Sequence, residues 1–321
     1  MTTIRVSVLV PYYKASAFIA RCARAIFEQT YQNIEYVFVD DCSPDNSIGI
    51  LENVLLEYPQ RKEQVIIIKH ERNKGVSAAR NTALRNSSGE FAIFVDSDDD
   101  MPRDAVEKLV KKQLVTGADI VTGQVIRRDG EKVSMIERPH FYNQDDFVED
   151  MIRPSLNHTL WGRLIRKSLF IEHNIRAKEG VNIGEDMQIM VQLAFYANKC
   201  ESLWEVVYYY DCTNEFSCMN QYDLDNIHRL SQDTASMEIV RDFFAGKSDK
   251  FQNQAEGYLC DYYLRLLRYY GRSKMKDDYE GIQKRLFGLR PKNRKMNKRQ
   301  KVKFSGYWTF RLVDVLLKKI S

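Results

Sequence analysis

Phe91-Ala-Ile-Phe-Val95 runs directly into Asp96-Ser97-Asp98-Asp99, and the reading of this stretch decides the fold. A short apolar run bounded by turn-forming residues reads as a buried strand, here Glu90 to Val95. Carboxylates spaced by one residue at a strand's C-terminal end can hold a hard divalent cation through oxygen. The bland alternative is an acidic turn that caps the helix opened by Pro102.

Working outward, the same pattern recurs. Ile4 to Pro11 reads as a strand, and Ala17 to Gln29 as a helix with apolar Phe18, Ile19, Cys22 and Ile26 on one side. Glu35 to Val39 is a second strand, ending in Asp40-Asp41, followed by a helix over Ser47 to Tyr58, a strand over Gln64 to Lys69 and a helix over Ser77 to Arg85. Alternation of this kind is the sign of a parallel sheet covered by helices. Two acidic clusters at strand C-termini then matter, because ligands of open α/β sheets bind at that edge.

Downstream, Pro102 opens a helix through Val115, and Asp119 to Met135 reads as a hairpin turning at Asp129-Gly130. Mixed segments follow, with a helix near Asp150, a loop over Ala177 to Gly184, a helix over Glu185 to Tyr196 and a strand over Val206 to Tyr210. Beyond Asp223 the pattern is mainly helical. The expected fold class is α/β with a helical C-terminal extension, divided into 1–220 and 221–321.

Composition sets the outer limits. The 321 residues are 44% hydrophobic and 29% charged with 15 Gly and 7 Pro, which excludes wholesale disorder and collagen-like architectures. No apolar run approaches the roughly 18 residues that span a bilayer, and the N-terminus shows no secretory signal, so a cytoplasmic location is expected. Six Cys without a Cys-x-x-Cys pair speak against a zinc ribbon or a disulfide scaffold. The net charge of +4 conceals +12 from Lys284 onward and −8 before it. An acidic body is not a general nucleic-acid binder.

Further candidates come from the loops. Tyr12-Tyr13 follows the first strand, where an aromatic face can stack on a planar base or simply pack in the core. Asp40-Asp41 can accept hydrogen bonds from a base or ribose, or serve a helix cap. Asn73-Lys-Gly-Val-Ser-Ala-Ala-Arg-Asn81 places Gly75 ahead of a helix and Arg80 one turn in, within reach of a base or phosphate. Gly184-Glu185-Asp186 sets a carboxylate pair at a helix N-terminus, where the dipole favours it. Phosphate-loop, Gly-x-Gly-x-x-Gly and His-Glu-x-x-His motifs are absent.

Taken in order, Val6-Ser-Val-Leu-Val-Pro-Tyr-Tyr-Lys14, Val39-Asp-Asp-Cys-Ser-Pro-Asp45, Asn73 to Asn81, Val95-Asp-Ser-Asp-Asp99 and Gly184-Glu-Asp186 resemble the successive motifs of the family-2 inverting glycosyltransferases, of GT-A fold. Trp161-Gly-Arg-Leu-Ile-Arg-Lys-Ser-Leu-Phe170 resembles the segment that precedes the Glu-Asp motif in bacterial members, so the resemblance covers roughly residues 4 to 210. It implies that Pro11, Tyr13, Asp41, Arg80 and Asp96 bind the nucleotide-sugar, with Tyr13 stacking on uracil. It implies Asp96 and Asp98 as ligands of Mg2+ or Mn2+, Asp186 as the general base and Glu185 as a supporting acceptor-side residue. The implied enzyme is a hexosyl- or N-acetylhexosaminyl-transferase, passing one sugar from a UDP-sugar to a glycan or lipid-linked acceptor in surface-polysaccharide assembly. The Gln-x-x-Arg-Trp motif of processive members is missing, which favours single additions. Cys42 stands where the family more often has Gly.

Lys284 to Lys303 carries ten basic and no acidic residues, and Tyr307, Trp308, Phe310, Leu312, Val313, Val315, Leu316 and Leu317 follow. That composition suits an interfacial contact with anionic lipid, peripheral on the inner face of a membrane; a helix packed on the body is the alternative. A related nucleotidyltransferase, or a non-catalytic membrane-associated binding protein, would share some of these features. The first leaves Gly184-Glu-Asp186 and the Trp161 segment unexplained, and the second leaves the acidic motifs unexplained.

Overall fold

The computed structural model describes residues 4–136, 143–154, 158–214, 227–273 and, apart from 283 and 287, 281–289. The chain forms two compact units, Met1–Asp223 and Leu224–Ser321.

The first unit is built on one eight-stranded sheet: β1 (Val6–Tyr12), β2 (Ile34–Asp40), β3 (Val65–Lys69), β4 (Phe91–Phe94), β5 (Ile120–Asp129), β6 (Lys132–Ile136), β7 (Arg163–Arg166) and β8 (Cys200–Asp211). The order is β3-β2-β1-β4-β7-β5-β6, with β8 on β5. β1, β2, β3 and β4 pair parallel, and β1 and β2 are buried at every residue. Their predominantly apolar runs, interrupted by the mutually hydrogen-bonded Ser7 and Glu35, follow from burial on both faces. β7 then enters antiparallel between β4 and β5, β6 folds back antiparallel on β5, and β8 runs parallel to β5.

Helices α1 (Ile19–Phe27), α2 (Ser47–Leu56), α3 (Val76–Arg85), α4 (Ala105–Thr116), α5 (Gln144–Ile152), α6 (Lys167–Glu172) and α7 (Glu185–Tyr196) connect these strands. In α1 the buried residues are Ile19, Cys22, Ala23, Ile26 and Phe27, one apolar stripe at helical spacing. Phe27 meets Tyr36 and Phe38 of β2 edge-on at 5.1 and 5.9 Å, seating the helix on the sheet. α4 begins three residues after Pro102, because the Pro102 carbonyl is held in a turn by Ala105 N–H and by the Gln29 side chain. It ends at Gly117, in the left-handed conformation that terminates helices.

The hairpin expected over Asp119 to Met135 is β5 and β6, with Asp129 paired to Lys132. The region from Leu160 to Phe170 holds two elements, β7 and α6. β8 is longer than its sequence pattern suggested, because Trp204 and Glu205 bulge out between Leu203, opposite Gly123, and Val206, opposite Gln124. A side chain at Gly123 would collide with Val207, so the close approach requires glycine there.

The second unit contains α8 (Ile227–Phe244) and α9 (Asp249–Ser273), which pack together through Phe244 and Phe251 at 5.3 Å. Of the mainly helical region expected beyond Asp223, the stretch from Tyr279 to Leu286 lies partly, and the basic and apolar stretch from Arg290 wholly, outside the described residues.

Candidate active site

The parallel strands deliver their C-terminal ends to one edge of the sheet. At the end of β1, Pro11 is buried in the strand, opposite Val39, while Tyr13 lies 44% exposed beyond it with the Lys14 ammonium 5.3 Å from its ring. At the end of β2, Asp41 donates its N–H to the Tyr12 carbonyl at 2.9 Å. Its buried carboxylate accepts from the backbone N–H groups of Lys74 (2.9 Å) and Gly75 (2.7 Å) and faces His70 Nδ1 at 2.7 Å. Asp41 therefore shapes the Asn73–Gly75 loop that leads into α3. Gly75 has φ of +86°, and a Cβ there would strike Asn182, so the loop and the 177–184 segment close on each other only with glycine. A cavity of about 480 Å³ between them is lined by Arg72, Asn73, Lys74, Glu179 and Gly180.

One turn into α3, Arg80 is buried and gathers three carboxylates from distant segments. Nη1 donates to Asp186 at 2.7 Å and also to Glu185, and Nη2 donates to Asp96 at 2.9 Å. Burial opposes the guanidinium charge, and Asp186, Asp96 and Glu185 more than restore it. Arg80 Nε is buried without a hydrogen-bond partner. Glu185 and Asp186 occupy the first turn of α7, whose positive dipole end suits them. The second Asp186 oxygen accepts from the Leu160 N–H at 3.1 Å. Burial, with Asp186 alongside, pushes the Glu185 carboxyl up to about 7. Protonating one member lets three carboxyl groups share a single guanidinium.

The Asp96–Asp99 turn continues the site. Burial raises the Asp96 carboxyl, and burial with the Asp96 charge raises Asp98. Asp98 accepts from Asn214 Nδ2 at 2.7 Å, and its carbonyl accepts from Arg21. Asp99 is deeply buried, accepting from the Tyr208 hydroxyl at 2.7 Å and the Asp211 N–H at 2.8 Å. Burial and its acidic neighbours raise it furthest.

Among the described residues no three His, Cys, Asp or Glu side chains converge into a metal cage. Asp96 and Asp98 nonetheless fit a shared ion: each has oxygen lone pairs beyond its hydrogen bonds to Arg80 or to Asn214 and its own backbone, and both are raised by burial that an added positive charge would counter. Mg2+ in particular is commonly bound by one or two carboxylates together with substrate phosphates.

The structure thus brings Arg80, Asp96, Glu185 and Asp186 into mutual contact, sets Asp98 two residues along the same turn, and places Pro11, Tyr13 and Asp41 together at the neighbouring strand ends. Sequence reasoning did not find Tyr208, Asn214, His70 or Leu160. The signal for Tyr208 was present, since Tyr208-Tyr209-Tyr210 stands out in a strand pattern, but nothing in it says that one hydroxyl faces the acidic turn.

The family model of glycosyl transferase family 2 matches residues 7–174. Glycosyltransferase GlyA of Streptococcus pneumoniae is 42% identical over 119 residues, covering 37% of this chain and 16% of that protein. An uncharacterized glycosyltransferase of Bacillus subtilis, EpsJ, is 27% identical over 213 residues, covering 64% of this chain and 60% of its own. The poly(ribitol-phosphate) beta-glucosyltransferase of Bacillus spizizenii is 28% identical over 213 residues, covering 64% of this chain and 32% of its own. The chain therefore spans less than two thirds of the length of these relatives. Among solved structures, S. aureus TarS 1-349 in complex with UDP-GlcNAc superposes with a TM-score of 0.58 at 20% identity, covering 88% of this chain and 91% of that one. Mannosyltransferase PcManGT from Pyrobaculum calidifontis, in complex with GDP-Man and Mn2+, gives a TM-score of 0.57 at 18% identity, covering 91% and 82%. The structural likenesses bear on the fold, and the ordered motifs and the matched family model together place the sequence: the chain belongs to glycosyl transferase family 2.

Proposed function

We propose that this chain transfers a single sugar, of hexosyl or N-acetylhexosaminyl type, from a nucleotide-sugar to a hydroxyl group in the assembly of a cell-surface polymer. The observation that carries the reading is the Arg80 cluster, which joins the Asp96 turn to the Glu185-Asp186 pair, with Arg80 and Asp186 lying 106 positions apart in the sequence. One cation on three carboxylates fixes a donor-side and an acceptor-side group relative to each other, as a displacement between two substrates requires.

In this reading Tyr13 receives the base of a UDP-sugar beside the Asn73–Gly75 loop that Asp41 holds, and Asp96 and Asp98 face its diphosphate. A Mg2+ or Mn2+ ion held there would offset the charge of the departing diphosphate. Asp186 takes the proton of the acceptor hydroxyl as its oxygen attacks the anomeric carbon, and the bond from that carbon to the diphosphate breaks with its electrons leaving on phosphate. Attack from the face opposite the leaving group inverts the anomeric configuration. Asp186 suits the task because each oxygen accepts one described hydrogen bond and keeps a lone pair. The acceptor is read as a glycan or lipid-linked saccharide. The basic stretch Lys284 to Lys303 and the apolar residues after it are read as a peripheral contact with an anionic membrane face.

A thermal-shift screen of UDP- and GDP-sugars with and without Mn2+ tests this, since a ligand at 100 times its dissociation constant stabilises by about 2.7 kcal/mol. At least one nucleotide-sugar should raise the melting temperature in a Mn2+-dependent manner, and Asp98→Ala should remove that dependence. No shift with any donor would contradict the reading.

A further inference from the structure

The Asp96–Asp99 turn is fastened to β8 at several points, and two of them pass through one side chain. The Asp96 N–H donates to the Tyr208 hydroxyl oxygen at 3.0 Å, and the same hydroxyl donates to Asp99 Oδ2 at 2.7 Å. A single phenol oxygen thus ties the first residue of the turn to the last. Tyr209 and Asp100 exchange backbone hydrogen bonds at 2.9 and 3.3 Å just beyond, and the Asp211 N–H takes the other Asp99 oxygen.

Tyr208 is itself held. Its ring is fully buried and lies flat on Trp161, with centroids 5.0 Å apart and planes within 3°, while Tyr210 stacks on the same indole at 5.3 Å. Trp161 bridges Phe94 at the end of β4, and its neighbour Leu160 donates the N–H that holds Asp186. The Leu160-Trp161 pair therefore touches both halves of the site, one through the backbone of Leu160 and the other through the Tyr208 ring.

We propose that Tyr208, seated by Trp161, is a positioning residue that sets where Asp96 and Asp98 stand for the donor diphosphate. The proposal rests on the nucleotide-sugar reading for its purpose but not for its geometry. A core tyrosine needs one partner for its hydroxyl. This one has two, and both belong to the acidic turn.

Tyr208→Phe keeps the stack and removes only the hydroxyl. Hydrogen exchange of the free protein should then accelerate selectively over Phe94–Asp100, by about tenfold, the size expected when a hydrogen bond to a carboxylate is lost. Calorimetry of the same variant should show UDP with Mn2+ binding about tenfold more weakly, and UDP without metal within about twofold of wild type. Exchange that is unchanged, or that rises equally throughout the chain, overturns the proposal, as does selective exchange with unaltered Mn2+-UDP affinity. If the wild-type protein itself fails to bind nucleotide with Mn2+, the nucleotide-sugar reading falls, and the exchange result alone still decides whether Tyr208 holds the turn. Should Tyr208→Phe not fold, Trp161→Phe leaves the hydroxyl in place and loosens its seat. A smaller acceleration confined to the same segment supports the proposal, and none overturns it.

Discussion

Arg80 of α3 and Asp186 of α7 stand 106 positions apart in the chain and meet at 2.7 Å, with Asp96 on the same guanidinium at 2.9 Å. Removing the cation leaves three carboxyl groups, two of them nearly buried, facing one another. Breaking such a group by deleting one partner typically costs about 3–5 kcal/mol. Arg80→Ala is expected to lose stability on that scale in urea unfolding, and Arg80→Lys to recover part of it, because an ammonium cannot present the planar fork that reaches three acceptors. An Arg80→Ala midpoint equal to wild type would show that the cluster does not hold α3 to α7.

Glu185 gives the cluster a pH dependence whose sign follows from proton binding. Its carboxyl lies at about 7 in the folded chain against an ordinary 4.5, so between those values the folded state holds more protons than the unfolded state. Stability from this group is present below about pH 4.5 and is lost as the pH rises through about 7. Glu185→Gln removes the titration, so the stability of wild type relative to the variant should fall by an amount of order 1–3 kcal/mol from pH 4.5 to 8. A difference that stays flat over that range would place the Glu185 titration elsewhere.

The first half of the sheet was legible because β1, β2 and β4 are buried on both faces, so burial wrote itself into the sequence as predominantly apolar runs, unbroken in β4 and interrupted by Ser7 in β1 and Glu35 in β2. β7 was not: Arg163-Leu-Ile-Arg166 is four residues long and carries a fully buried arginine, so neither length nor alternation marks it as a strand. The acidic motifs were legible one at a time, as residue types at strand and helix ends. Their joining was not, because Arg80 reads on its own helix as an ordinary surface residue until the fold brings Asp96 and Asp186 to it. The role of Tyr208 was hidden for the same reason, since a strand tyrosine carries no mark of the turn it will face.

The stretch from Lys284 onward makes a separate forecast. Its excess of basic charge should bring the protein to vesicles containing anionic lipid at low salt and release it progressively as the Debye length shortens from about 10 Å at 0.1 M to about 3 Å near 1 M. Flotation with and without residues 290–321 measures this directly. Failure of the intact chain to float with anionic vesicles at low salt would remove the membrane contact from the account.

The most direct test of the central claim sets Asp186→Asn beside wild type in two measurements on the same preparation: donor affinity by calorimetry with Mn2+, and the rate of sugar transfer to an acceptor hydroxyl. The amide keeps the acceptor oxygen that meets Arg80 or Leu160 and loses the basicity, so affinity should stay within about twofold while transfer falls by about 10² to 10⁴, the usual loss on removing a general base. Undiminished transfer by Asp186→Asn would contradict the assignment of Asp186 as the base and, with it, the account of the Arg80 cluster as the catalytic centre.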